Sequence, residues 1–156
     1  MMENITIRRA KLDDLYEIQR LNNELFNIEL KNYDDSLKEY WPISKEGEAY
    51  FRGKILNDVV IVACLEDDPI GYLAGSLKTQ YSYNKTIQAE IDNMCLKEEF
   101  RHLGIGKRLV KAFTNICMDN DINEIKVVAS FNNKSAINFY KELGFEESEI
   151  TLKQKI

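Results

Sequence analysis

Apolar and polar positions follow one period in the first third of this chain and another in the middle. Ile5–Arg9 reads as a short strand, and Leu12–Phe26 follows with Leu15, Ile18, Leu21 and Leu25 on one helical stripe. Asp13 and Asp14 suit the first turn of that helix. Residues 27–45 are polar and aromatic, with Tyr33, Tyr40 and Trp41, and predict a short helix or a mobile segment; Glu46–Leu56 predicts another helix. From Val59 the period becomes two. Val59–Glu66 and Ile70–Leu77 predict strands joined by a tight turn, Glu66-Asp67-Asp68-Pro69, and a polar connection from Lys78 to Lys85 leads to a third strand, Thr86–Leu96. These three predict an antiparallel meander. Beyond Gly104, the positions Ile105, Leu109, Ala112, Phe113, Ile116 and Cys117 give a helix with one buried face. Glu124–Ser130 predicts a strand, Ser135–Leu143 a helix stopped by Gly144 as its C-terminal cap, and Ile150–Ile156 a last strand. No repeat, linker or low-complexity tract divides residues 1–156, so a single domain is expected.

Composition narrows the class. With 44% hydrophobic and 30% charged residues in a chain of 156, a substantial core is affordable without disulfides or metal. Lys and Arg number 21 against 26 Asp and Glu, for a net charge of -5, which disfavours nucleic acid as a partner and mildly favours cationic ones. The longest apolar run, Val59–Leu65, is far shorter than the roughly 20 residues that span a bilayer. The opening MMENITIRR has no signal-peptide pattern, so a cytoplasmic protein without a membrane partner is expected. Cys64, Cys95 and Cys117 lack C-x-x-C spacing and sit among apolar neighbours, as buried free thiols do. His102 is the only histidine, which removes most zinc sites and any Ser-His-Asp arrangement elsewhere; no metal is expected. A nucleophilic pair of Cys95 and His102 is disfavoured by the apolar strand pattern around Cys95.

The stretch from Phe100 to Val110, FRHLGIGKRLV, places two glycines at a helix start. Glycine weakens a helix, so a pair there points to unusual backbone angles or to a close approach, and a helix N-terminus favours an anion such as phosphate. A Walker A loop fails, because Arg101 stands where its first glycine belongs and Arg108 replaces the Ser or Thr. A dinucleotide fingerprint fails at Leu109, where it requires a third glycine. What remains is Arg101-x-x-Gly104-x-Gly106 and, beyond one helix and one strand, the block Asn133-Lys134-Ser135-Ala136-Ile137-Asn138-Phe139-Tyr140-Lys141-Glu142-Leu143-Gly144-Phe145. Together these resemble the two signature motifs of the GNAT superfamily of N-acetyltransferases, and the order of predicted elements matches that fold along nearly the whole chain. The resemblance implies an α+β, αβα-layered fold with a mixed, largely antiparallel central sheet flanked by helices.

It also implies acetyl-CoA as cofactor. The diphosphate would lie over the main-chain N–H groups of Arg101, His102, Leu103, Gly104, Ile105, Gly106 and Lys107, with Lys107 and Arg108 as added charge. Met94, Cys95 and Leu96 would pair through their backbone with the pantetheine amides, with N–H groups there polarising the thioester carbonyl. Tyr140 aligns with the family tyrosine that points at the cofactor sulfur and is the expected general acid; Asn133 caps the following helix or contacts the cofactor, and Ala136 belongs to the same block. For the general base, Ala89-Glu90-Ile91-Asp92 puts two carboxylates on one strand face, with Glu90 expected ahead of Asp92; alternatively both bind a cationic acceptor or line solvent.

On the acceptor side, residues 27–52 carry Tyr33, Tyr40, Trp41, Tyr50 and Phe51 together with the acids Asp34, Asp35 and Glu39, which suit a polyamine, aminoglycoside or lysine-bearing substrate, a small-molecule or peptide amine; an exposed polar helix would carry the same residues. After Phe145 eleven residues remain, enough for one strand, which leaves the acceptor cleft more open or completed by a second subunit in a homodimer. The expected activity is acetyl transfer to a primary amine by direct attack in a ternary complex. The alternative is a non-catalytic acyl-CoA-binding or regulatory module of the same fold.

Overall fold

The run Val59–Leu65, VVIVACL, is apolar without a break because it is a central strand covered on both faces. Alternate residues bury in opposite directions: Val59, Ile61 and Ala63 join one hydrophobic cluster, Val60, Val62 and Cys64 the other. In the computed structural model, which describes residues 4–78 and 82–156, this strand is second in a five-stranded sheet. The order is β1 (Ile5–Arg9), β2 (Val59–Leu65), β3 (Asp68–Ser76), β4 (Gln88–Leu96) and β5 (Glu124–Val127). The first four pair antiparallel; β4 and β5 are parallel.

Helices cover both faces. Leu15, Ile18 and Leu21 of α1 (Leu15–Asn32) and Phe51 of α2 (Lys45–Asn57) pack on one. Ile105, Leu109 and Phe113 of α3 (Ile105–Asp119) pack on the other, with Phe139 and Tyr140 of α4 (Lys134–Glu142) against the same cluster. This is the expected layered α+β architecture with a mixed, largely antiparallel sheet. A bidentate ion pair from Arg8 to Asp14, at 2.8 and 3.0 Å, ties β1 to the start of α1. Burial pushes the Asp14 carboxyl up, but Arg8 and the Lys11 N–H outweigh it and hold the group below its usual range.

Several boundaries differ from expectation. Helix α1 runs to Asn32, taking the first residues of the segment read as short helix or mobile. The rest of that segment contains a 3-10 turn at Trp41–Ile43, and it is fixed: buried Gln19 donates to the Pro42 carbonyl at 2.9 Å, and Ser44 caps α2 by accepting from the Gly47 N–H. The β2–β3 turn is tighter than expected. Glu66 and Asp67 are both left-handed, at φ 54° and 83°, and Asp68 and Pro69 already belong to β3. Strand β5 ends at Val127, three residues short of Ser130. The strand expected at Ile150–Ile156 is not formed: residues 143–156 carry no helix or strand, and Ile150 and Leu152 are 81% and 89% exposed. Alternation alone is not sufficient there, because a strand is stable only against a hydrogen-bonded neighbour and a face to bury. Part of the expected connection from Lys78 to Lys85, residues 79–81, lies outside the described residues.

Two glycines of α2 separate packing from propensity. A Cβ on Gly47 would stand 2.4 Å from the carbonyl oxygens of Trp41 and Pro42, whereas one on Gly53 meets nothing within 4 Å. Gly53→Ala is expected to raise stability by about 0.5–1 kcal/mol and Gly47→Ala to lower it by about 1–3 kcal/mol. Urea unfolding with unchanged m-values checks both signs.

Candidate active site

The site begins where the sheet comes apart. Strands β4 and β5 are in register from Gln88–Glu124 to Ile91–Val127, and no further. Strand β4 continues to Leu96, so its stretch Asp92–Leu96 has lost its partner on that edge. Main-chain groups there must find another partner, water or ligand. The same stretch begins with a bulge. Ala74 faces Asn93 but Gly75 faces Ile91, so Asp92 is the extra residue. Alternation puts Glu90 and Asp92 on the α1–α2 face, and the bulge puts Asn93 there too, where it contacts Tyr72 and Tyr50. Met94, Cys95 and Leu96 form the open edge beyond it. The Cys95 thiol is buried in the α1–α2 cluster, and that burial pushes it up to about 11, which makes it a packed thiol and no nucleophile.

The loop after β4 supplies free donors. Gly104 is left-handed at φ 78°, and so is His102 at φ 61°. Helices α2 and α4 are capped by the side chains of Ser44 and Asn133, but α3 starts at Gly104, which has no side chain to cap with. Among the described residues, no main-chain N–H from His102 to Lys107 donates to a protein acceptor; the first α3 bond is Arg108 N–H to Gly104 O at 3.2 Å. That row of N–H groups at a helix N-terminus suits a diphosphate. A Cβ on Gly104 would point into open space, so the left-handed turn requires this glycine. Gly106 has a different reason: its Cβ would meet the Phe139 ring at 3.2 Å, so it lets α4 approach α3 and does not clear room for phosphate. Leu103 is exposed, while Ile105 is buried and anchors the turn in the core. The two arginines are engaged elsewhere. Arg101 donates from Nε to the Leu96 carbonyl at 3.0 Å, and Arg108 donates to the Ile5 carbonyl at 2.7 Å, which corrects its reading as an added phosphate charge. Beside this loop, Arg20, Glu24, Asn27 and Ile28 of α1 face Lys97, Glu98, Glu99 and Arg101 across an open cleft of about 690 Å³.

Helix α4 presents Tyr140. Asn133 starts the helix by accepting from the Ala136 N–H at 3.1 Å. At the other end Gly144 is left-handed at φ 94°, with Gly144 N–H on Lys141 O and Phe145 N–H on Tyr140 O, a Schellman cap. That cap turns Phe145 back onto the Tyr140 ring at 5.4 Å, while Phe139 meets the ring from the other side at 5.0 Å. The Gly-Phe pair of the sequence motif is thus what orients the tyrosine. Its hydroxyl makes no hydrogen bond to protein among the described residues. Burial pushes its pKa up to about 12.

On the acceptor face, Glu90 is half-buried and has no ion pair or hydrogen bond among the described residues. Asp92 is not free. Lys54 Nζ of α2 lies 2.6 Å from it, and Ser76 donates to it at 2.9 Å. Phe26 stacks on Trp41, and ring contacts continue through Tyr50 and Phe51 to Tyr72. Lys54, Tyr72, Asn22 and Asn93 escaped the sequence reading. Asn22 did leave a signal, as a polar residue on the apolar stripe of α1, four positions after Ile18.

Residues 14–145 match the model of the acetyltransferase (GNAT) family, and the chain belongs to that family of acetyl-CoA-dependent N-acetyltransferases. It is 27% identical over 152 residues to an uncharacterized N-acetyltransferase of Methanocaldococcus jannaschii, covering 96% of this chain but 64% of that relative. It is 27% identical over 155 residues to a thialysine N-epsilon-acetyltransferase of Bos taurus, covering 94% and 86%. Among solved structures it superimposes with a TM-score of 0.77 on an aminoglycoside N-acetyltransferase, AAC(6')-Iy, in complex with CoA, at 18% identity and covering 97% and 94%.

If the turn at Gly104 holds the diphosphate, Gly104→Ala lets the free turn relax out of the left-handed region, and binding must then restore about 1–2 kcal/mol of strain. Isothermal titration with CoA is then expected to show affinity reduced about 5–30-fold, with the fold intact by circular dichroism.

Proposed function

We propose that this N-acetyltransferase acts on a primary amine of a small molecule or peptide, by direct attack within a ternary complex. The observation that carries this reading is the row of N–H groups from His102 to Lys107 without an acceptor among the described residues, following a strand that has parted from its neighbour. Acetyl-CoA, when bound, supplies an acetyl group held as a thioester. Main-chain N–H groups of the loop would hold the diphosphate, and the open edge at Met94, Cys95 and Leu96 would pair with the pantetheine amides. Asn133 and Ala136, joined at the start of α4, would contribute from that helix.

Tyr140 keeps its proton at all ordinary pH values, since its pKa stands at about 12. That is well above a thiol's usual value of about 8.5, so complete transfer to a departing thiolate is uphill. Its role is therefore a hydrogen bond that strengthens as negative charge develops on sulfur. Glu90 takes the proton of the acceptor's ammonium, directly or through water, because it is the carboxylate of the pair without an ion pair among the described residues, whereas Lys54 holds Asp92. Asp92, tied to Lys54, serves the architecture of the bulge. The aromatic row and the acids Asp34, Asp35 and Glu39 favour a cationic acceptor, in keeping with relatives named for thialysine and aminoglycoside substrates. The exposed Ile150 and Leu152 favour a homodimer in which a second copy covers them, and three free buried thiols favour a reducing cytoplasm.

Thiol release measured across lysine, polyamine, aminoglycoside and peptide amines tests the reading. CoA binding without acceptor-dependent release would instead support a binding module. Tyr140→Phe is expected to lower kcat about 100-fold while the dissociation constant of acetyl-CoA changes less than about twofold; unchanged kcat removes this hydrogen-bond donor. Glu90→Gln is expected to move the acid limb of the kcat/KM profile to higher pH, toward the pKa of the free amine; an unmoved limb removes this base.

A further inference from the structure

The cluster beneath the α1–α2 face contains polar groups that its packing does not require. Tyr72 is fully buried, and Asn22 is 1% exposed. Asn22 Nδ2 donates to the Tyr72 hydroxyl at 2.7 Å, the Tyr72 hydroxyl donates to Asn93 Oδ1 at 2.6 Å, and Asn93 Nδ2 donates to the Tyr50 hydroxyl at 3.3 Å. Phenylalanine at position 72 would fill the same space at no cost in desolvation, so the buried hydroxyl calls for another reason. Asn93 gives one, because it is the residue directly after the bulge. The bulged residue itself, Asp92, is held by Lys54 at 2.6 Å and by Ser76, and Lys54 is in turn held by Asp58 at 3.0 Å. Side chains from α1, α2 and β3 thus grip both residues at the point where β4 leaves β5 and its ladder no longer fixes peptide orientation.

We propose that Tyr72 is a positioning residue: with Asn22 and Tyr50 on one side and the Lys54–Asp92 pair on the other, it clamps the β4 bulge so that N–H groups of the open stretch Asp92–Leu96 are aimed at the thioester carbonyl. The inference rests on the reading of that edge as the thioester site. Tyr72 and Asn22 are buried and act through β4. The clamp's effect is preorganisation, which is lost when donors are free to swing even though the strand remains.

The test is difference infrared spectroscopy of acetyl-CoA, labelled with carbon-13 at the thioester carbonyl and bound to the full chain, alongside kcat and calorimetric binding. Binding to the wild type is expected to lower the carbonyl stretching frequency. Tyr72→Phe is expected to lose at least half of that shift and to lower kcat about tenfold, with the acetyl-CoA dissociation constant within about twofold. Tyr50→Phe, at the rim of the network, is expected to move both in the same direction by less, and it serves if Tyr72→Phe does not fold. A shift and kcat equal to wild type in these variants, with or without lower thermal stability, overturns the clamp alone. A wild type that binds acetyl-CoA with no carbonyl shift overturns the reading of the edge on which the clamp rests.

Discussion

The parting of β4 from β5 is the constraint on which the rest of the structure depends. A parallel pair gives each strand regular backbone hydrogen bonds, and here that regularity ends after Ile91–Val127 while β4 continues to Leu96. Keeping an unpaired strand edge is costly unless something fills it, and among the described residues no further strand does. Near the opening, the chain places a helix start at Gly104 with no side-chain cap and, at position 140, a tyrosine with no hydrogen bond to protein among the described residues. Each is a local cost by itself. Together they leave donors available at the end of β4 and the start of α3, with α4 packed against α3 at Gly106.

The two faces of the sheet divide the work. Beneath α3 and α4 the buried cluster is apolar, with Ile105, Leu109 and Phe113 packed on Val59, Ile61 and Leu73. That face provides rigidity, and its one close approach, Gly106 against Phe139, fixes α4 and with it Tyr140. Beneath α1 and α2 the cluster admits Asn22 and Tyr72, and at its margin Lys54, 12% exposed in its side chain, meets Asp92 and Asp58. Buried polar groups specify geometry more sharply than apolar ones, because a small displacement strands a donor or an acceptor. They lie beneath the bulge, the part of β4 whose direction the ladder has ceased to determine.

Much of this was legible in the residues. The periods of two and 3.6, the acidic hairpin turn, Gly144 as a cap and the pairing of the glycine loop with the Asn133–Phe145 block are local signals, and local backbone preference carries them. Those signals sufficed for the element order; the layered architecture was expected from the family resemblance that the two motifs carry. Asn133 as a cap could be expected for the same reason, since it acts on an N–H three residues away.

What the sequence could not decide was settled by contacts between segments far apart in the chain. A bulge shifts register against a partner strand, so nothing local marks Asp92 as the extra residue or turns Asn93 toward Tyr72. Arg108 read as charge for phosphate, and only the fold brings it to the carbonyl of Ile5, as it brings the Arg101 side chain to the carbonyl of Leu96. Gly106 read as room for a ligand, and the fold shows Phe139 there. Asp92 read as a free carboxylate until α2 brought Lys54 to it. The alternation at Ile150–Ile156 was genuine, but a strand also needs a neighbour, which is a property of the assembled sheet and not of the segment. Local patterning thus determined which elements form, while long-range packing decided which polar groups remain free to act.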